Sequence, residues 1–195
     1  MLSGRRLDLL NPDPADVEIS DIAHGLARVA RWNGQTKGTH AFSVAQDALL
    51  VEALATAAAW KDETDGAAVR TWQLTALLHD APEYVVGDLI SPFKAAVGLD
   101  YKVFENRLLK AIHIRFGLAE VPAPHIARTI KCADQTAAYY EATSLAGFDA
   151  DEANRYFGQP ENCGLTSETL DELLNPWPTA LAQERFLARF DLLSR

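Results

Sequence analysis

Leu77-Leu78-His79-Asp80-Ala81-Pro82-Glu83-Tyr84 decides how this chain is read. An imidazole beside a carboxylate, straight after an apolar run, is costly to bury without partners. A divalent metal ion satisfies both, the histidine through a ring nitrogen and the aspartate through an oxygen. Glu83 and Asp88 follow, so one short stretch carries four groups suited to metal binding or proton transfer. A helix end with a histidine and solvated acids accounts for the dyad alone equally well. The rest of the chain has to separate the two readings.

Working outward, the pattern is helical throughout. The dyad closes a helix predicted over about 67–81, with Pro82 interrupting its hydrogen-bond ladder. Before it, Ser43-Val44-Ala45-Gln46 has capping-box form and opens an Ala/Leu helix to about Trp60. Ser20 or Asp21 is expected to cap a first helix over about 21–32. Ile22, Leu26 and Val29 form its apolar stripe, and His24, Arg28 and Arg31 share another face. Residues 1–20, with Asn11-Pro12-Asp13-Pro14, read as an irregular arm. After the dyad, Gly87 and Ser91-Pro92 break the chain. Phe104, Leu108, Leu109, Ile112 and Phe116 then line one side of a helix from Tyr101 to Phe116. Pro122 and Pro124 precede a helix over about 124–146, with Ile126, Ile130, Ala133, Ala137 and Tyr140 facing inward. Residues 147–178 are polar and turn-rich, with room for a short helix at about 166–174. A last helix, over about 179–193, offers Leu181, Phe186, Phe190 and Leu193 to the core. Neither a repeat nor a strand-turn-helix glycine motif interrupts this, so Rossmann and P-loop folds are excluded. The fold expected is an all-α bundle, residues 1–195 forming one domain.

Composition narrows the function. A chain of 195 residues with 48% apolar residues builds a core without staples. Its two cysteines, Cys132 and Cys163, have no paired spacing, which argues against a disulfide framework and a thiolate zinc site. Any metal is therefore held by nitrogen and oxygen, and Cys132 is expected to be a buried free thiol. A net charge of −9 suits no nucleic acid polymer. It does allow a small anionic substrate where a metal and a few arginines supply local positive charge. No signal-peptide core and no apolar run of membrane length appears, so a cytoplasmic protein without membrane contact is expected.

Asp134 lies on the predicted helix over about 124–146, beside Ala133 and near Ala137. Small neighbours let another helix approach, and a metal at His79-Asp80 would give a half-buried Asp134 its partner. An exposed surface acid is the plainer reading of Asp134 taken alone.

Taken together, several local motifs resemble one family. These are Ile22-Ala23-His24, Arg31-Trp32, Ser43-Val44-Ala45-Gln46, His79-Asp80-Ala81-x-Glu83, Gly87-Asp88 and Asp134. The set is similar to the HD-domain metal-dependent phosphohydrolases, and closest to their 5′-deoxynucleotidase-like branch. The resemblance implies a helical bundle with the metal site between helices. It implies His79, Asp80 and Asp134 as metal ligands, Glu83 as the acid/base for the attacking water, and Asp88 as its helper, positioning that water or a second metal. It also implies that Arg31 grips the substrate phosphate and that Trp32 shapes the sugar and base pocket. The arginine role has independent logic, since a guanidinium fork matches phosphate geometry. A tryptophan on its own is more often core.

One position departs from the family pattern. Where the resemblance puts a histidine ligand directly after the Ser-Val-Ala-Gln start, this chain has Asp47. We place Asp47 in that ligand slot and His40, in the preceding loop, at the pocket edge near the phosphate. An aspartate adds negative charge and favours harder ions such as Mg²⁺ or Mn²⁺. Co²⁺, Zn²⁺ and Fe²⁺ also suit a nitrogen-oxygen site. The alternative is that the substitution weakens or abolishes metal binding. His24 reads equally as a substrate contact or a structural residue, and His113 and His125 as structural or surface residues.

The function implied is metal-dependent hydrolysis of a (deoxy)nucleoside 5′-monophosphate to nucleoside and phosphate. Triphosphohydrolysis of a deoxynucleoside triphosphate, a degenerate nucleotide-binding domain and a plain helical interaction domain are the alternatives. The resemblance also implies a homodimer. Trp177, Phe186 and Phe190 are read either as its apolar contact or as internal packing.

Overall fold

The computed structural model describes residues 1–60, 64–89, 99–160 and 164–195, with backbone alone at 99 and 100. The expected break at Ser91-Pro92 and the second cysteine, Cys163, lie outside the described residues. Among the described residues the fold is all-α, and the one strand-like pairing is an isolated antiparallel bridge between Ala30 and Ser43.

Helix α1 (Ile19–Leu26) is shorter than its sequence pattern suggests. After Leu26 the chain turns into the bridge, where Val44 N–H donates to the Val29 carbonyl and Arg31 N–H to the Phe42 carbonyl. These bonds compete with helix continuation, so Arg31 does not share a helix face with His24 and Arg28. Arg28 instead donates to the His24 carbonyl and to Gln183. The cap also differs, since Glu18 occupies the N-cap without a side-chain bond. Asp21 is buried and accepts from the backbone and hydroxyl of Ser3, which ties the N-terminal arm down. The arm contains a 3₁₀ turn, Pro14–Asp16, capped by Asp13.

Helix α2 (Val44–Ala55) is buried along almost its whole length and continues as a wider π turn over Thr56–Trp60. Ser43 caps it by accepting from Gln46 N–H, as expected. Gln46 does not return the capping-box bond. Its buried amide donates to the carbonyls of Leu173 and Asn175 and accepts from Trp177 N–H, so it pins a distant loop.

Helix α3 (Gly66–Leu77) is capped by Asp65 and packs along α2. It ends before the dyad, so His79 and Asp80 stand in a turn leading to the short helix α4 (Glu83–Val86). Helix α5 (Leu99–Arg115) follows, then α6 (Pro124–Ser144), which starts with proline at its first position, where no N–H is needed. Helix α6 is the main partner of α2.

The polar segment after α6 holds two helices. Helix α7 (Ala150–Phe157) was not expected, although Asp149 and Glu152 close a complete capping box at its start. Helix α8 (Ser167–Leu174) matches the expected short helix, and α9 (Thr179–Leu193) matches the last one. Trp177, Phe186 and Phe190 are buried in the same cluster as Ile22, Leu77 and Leu108, which makes them internal packing rather than a subunit contact. Cys132 is exposed, not buried, because it lies off the buried α6 stripe that Ala133 occupies. Among the described residues, no helix is long and apolar enough to cross a membrane.

Candidate functional site

Three elements converge on one point. Ser43 starts α2, which places Asp47 in its first turn, fully buried. The end of α3 delivers His79 and Asp80 in the following turn. The Ala30–Ser43 bridge holds Arg31 beside the start of α2. One ligand atom from each of Asp47, His79 and Asp80 lies within 4.8 Å of the others.

The local bonding turns these atoms toward one another. His79 Nδ1 lies 2.9 Å from the Ala76 carbonyl, which fixes that nitrogen as the donor and leaves Nε2 turned toward the carboxylates. Metal-binding histidines are commonly held this way. Nε2 stands 3.3 Å from Asp80 Oδ2 and 3.9 Å from Asp47 Oδ2. Among the described residues, neither buried oxygen of Asp47 nor His79 Nε2 makes a hydrogen bond of good geometry. Such groups are costly to bury, so the arrangement fits an added cation.

Electrostatics point the same way. Burial pushes the Asp47 carboxyl well above the usual range, Arg31 and His79 pull it down, and Glu141 pushes it up. Burial lowers His79, but Asp80, Asp47 and Asp134 outweigh it and hold the ring at about 10. A positive ring among carboxylates is what this pocket accepts when no ion neutralises it.

Arg31 is the hub of the surrounding charges. Its guanidinium side chain is only 13% exposed and touches three acids. Nε is 3.2 Å from Glu141 Oε2, a terminal nitrogen 3.4 Å from Asp88 Oδ2, and the other 3.7 Å from Asp47 Oδ1. Burial disfavours its charge, yet Asp47, Glu141, Asp88 and Asp80 raise its pKa well above the ordinary arginine value.

Trp32 and Asn33 have φ of 55° and 51°, the left-handed region. For a bulky residue this is uncommon and costs about 1–3 kcal/mol. The Trp32 indole N–H donates to Glu141 Oε2 at 2.7 Å, and its ring packs against Phe148 and Phe157. Those contacts hold the strained turn.

The remaining predicted residues are placed less uniformly. Glu83 is buried at the start of α4, its backbone N–H bonded to the Asp80 carbonyl. Asp134 lies outside the three-residue ligand cluster. It is near enough to raise His79, but its carboxylate accepts from Lys131 at 2.7 Å on the α6 surface. His40 is exposed in the loop before α2 and is not part of the cluster. His113 is buried against the Ala119 carbonyl, and His125 packs edge-on to Trp72, as structural residues do.

The sequence reading missed Glu141. The signal was present: Glu141 continues the buried stripe Ile126, Ile130, Ala133, Ala137 by one more turn. A carboxylate on such a stripe demands partners. Asp134 sits one step off that stripe, which is why it reaches solvent.

No family model matches the chain. Over 162 residues, 83% of this chain and 79% of the relative, it is 58% identical to an uncharacterized protein of Rhodobacter capsulatus. With that identity over most of both lengths, the chain belongs to the family of this Rhodobacter capsulatus protein.

Proposed function

We propose that this protein is a divalent-metal-dependent phosphohydrolase of the HD type that acts on nucleotides. The preferred reaction is hydrolysis of a (deoxy)nucleoside 5′-monophosphate to nucleoside and phosphate. The observation that carries the reading is the Asp47–His79–Asp80 cluster with buried Arg31 beside it. Asp47, His79 and Asp80 would hold the ion, Mg²⁺, Mn²⁺ or Co²⁺ by preference. When bound, it supplies Lewis-acid charge that acidifies water and polarises a phosphoryl oxygen.

The chain's own residues have separate tasks. Arg31 binds the phosphate. Its terminal nitrogens, at 3.4 and 3.7 Å from Asp88 and Asp47, are loosely engaged and can exchange those acids for phosphate oxygens. Glu83 accepts the proton of the attacking water and returns it to the departing 5′ oxygen, with Asp88 orienting the water. The bond between phosphorus and the sugar oxygen breaks as the one to water forms. Trp32 walls the sugar and base side. By the same resemblance the working unit is a homodimer, which sedimentation of the purified protein tests.

Chromatography of products from a panel of nucleoside mono- and triphosphates tests this reading, with Mg²⁺, Mn²⁺ or Co²⁺ and a chelator control. Nucleoside plus inorganic phosphate, formed only with metal and lost in Glu83→Gln, is expected. Release of triphosphate would move the assignment to a triphosphohydrolase. One observation favours a binding module: Asp134 is engaged by Lys131, so the cluster has three candidate ligands among the described residues. Tight nucleotide binding without any product would select it.

A further inference from the structure

We propose that Glu141 is a positioning residue that aims Arg31 at the substrate phosphate; the inference rests on the phosphohydrolase reading. Arg31 and Trp32 are adjacent in sequence, yet both donate to the same carboxylate oxygen, Glu141 Oε2. The backbone turns left-handed at Trp32, where the two adjacent side chains converge. Glu141 is fully buried on α6, so its carboxylate is a fixed point. It takes the Nε of the guanidinium and leaves both terminal nitrogens directed at Asp88 and Asp47, on the side of the metal cluster. Those two nitrogens form the fork that grips a phosphate. A long arginine side chain loses less freedom on binding when its inner nitrogen is already anchored.

Glu141 therefore acts through Arg31, not on the substrate. A lysine at position 31 has no inner nitrogen and cannot use the anchor. That gives a double-mutant cycle, read as inorganic phosphate affinity of the Mn²⁺-loaded protein by calorimetry. Mn²⁺ affinity of each variant is measured in parallel. In the Arg31 background, Glu141→Gln is expected to weaken phosphate binding about tenfold, since the charge-assisted bond is lost. In the Arg31→Lys background the same change should cost less than about twofold, because coupled residues are not additive. A merely structural role would lower the melting midpoint and weaken phosphate equally in both backgrounds, and that result overturns the proposal. If Glu141→Gln does not fold, Glu141→Asp, which keeps the charge but draws the carboxylate back from Arg31 Nε, replaces it in the cycle. A loss of phosphate affinity with Arg31 that disappears in the Arg31→Lys background supports the proposal, and equal losses in both backgrounds overturn it. If the wild-type Mn²⁺ form binds no phosphate, the phosphohydrolase reading and this inference both fall. If it binds phosphate and only the coupling is missing, the inference falls alone.

Discussion

Asp47 Oδ2 and His79 Nε2 face each other across 3.9 Å, and among the described residues neither atom makes a hydrogen bond of good geometry. The two residues come from the start of one helix and the turn after another. Burying both costs stability that an ion between them would recover. Mn²⁺ at 100 times its dissociation constant should therefore stabilise the protein by about 2.7 kcal/mol. Thermal unfolding with and without Mn²⁺ checks this, and His79→Ala should show no metal-dependent shift.

Acid should compete with the metal. The His79 ring, held at about 10 by Asp80, Asp47 and Asp134 against the effect of burial, is protonated at neutral pH in the ion-free protein. Binding must displace that proton. Affinity for Mn²⁺ should rise about tenfold per pH unit through the neutral range. Without metal the sign reverses. The raised pKa contributes stability that is complete below about 6.5 and is lost as pH rises through about 10. Unfolding titrations with a chelator should show that loss, and His79→Gln should remove it.

His113 behaves oppositely. Burial lowers its pKa from 6.5, and its backbone contacts near Ala119 only partly restore it. The unfolded chain takes up a proton below about 6.5 that the folded chain refuses, so stability is present above that pH and falls as the solution is acidified toward the lowered value. The slope from this one group is at most about 1.4 kcal/mol per pH unit. His113→Gln should flatten the acid limb of the stability profile, and an unchanged limb would remove the assignment.

Gly25 lets α1 approach the segment that carries Glu83. A β-carbon at Gly25 would lie 2.7 Å from Tyr84 Cβ and 2.8 Å from the Tyr84 carbonyl oxygen. Neither atom is a flexible side-chain end. Gly25→Ala should cost about 1–3 kcal/mol through overpacking. Denaturant midpoints check the stability, and any turnover should fall further than stability alone explains, because α4 must shift.

Gly87 has φ 76° and ψ 163°, a conformation essentially reserved for glycine. It ends α4 and turns the chain so that Asp88 meets Arg31 at 3.4 Å. A side chain there meets no neighbour among the described residues, so the cost is put down to backbone strain. Gly87→Ala should destabilise by about 1–3 kcal/mol. Its phosphate affinity should change more than that of a substitution of equal stability cost elsewhere on the surface.

Much of the helical plan was legible because apolar spacing and caps are local signals. Ser43 capping α2 and the stripe Ile126, Ile130, Ala133, Ala137 follow from such patterns. The end of α1 was not legible, since the Ala30–Ser43 bridge that stops it depends on residues more than ten positions away. Helix α7 is eight polar-rich residues long, with too short a stripe to stand out, although its capping box was readable. At the site, the His79-Asp80 pair was visible as a costly pair of groups and Asp47 through the resemblance of its position after Ser43-Val44-Ala45-Gln46, and the cluster brings the three together. Asp134 is half-buried, as its small neighbours suggest, but they do not reveal that Lys131, one turn earlier, holds its carboxylate. Glu141 needed the opposite inference, that an acid on a buried stripe must have partners elsewhere.

The most direct test of the proposed metal centre is calorimetric titration of metal-free protein with Mn²⁺, comparing wild type with Asp47→Asn. Asparagine keeps the shape of the side chain and removes its charge. One ion per chain in the wild type, with affinity falling by about 100-fold or more in the variant, is the predicted result. No saturable binding by the wild type, or equal binding by the variant, would contradict the assignment of Asp47, His79 and Asp80 as its ligands.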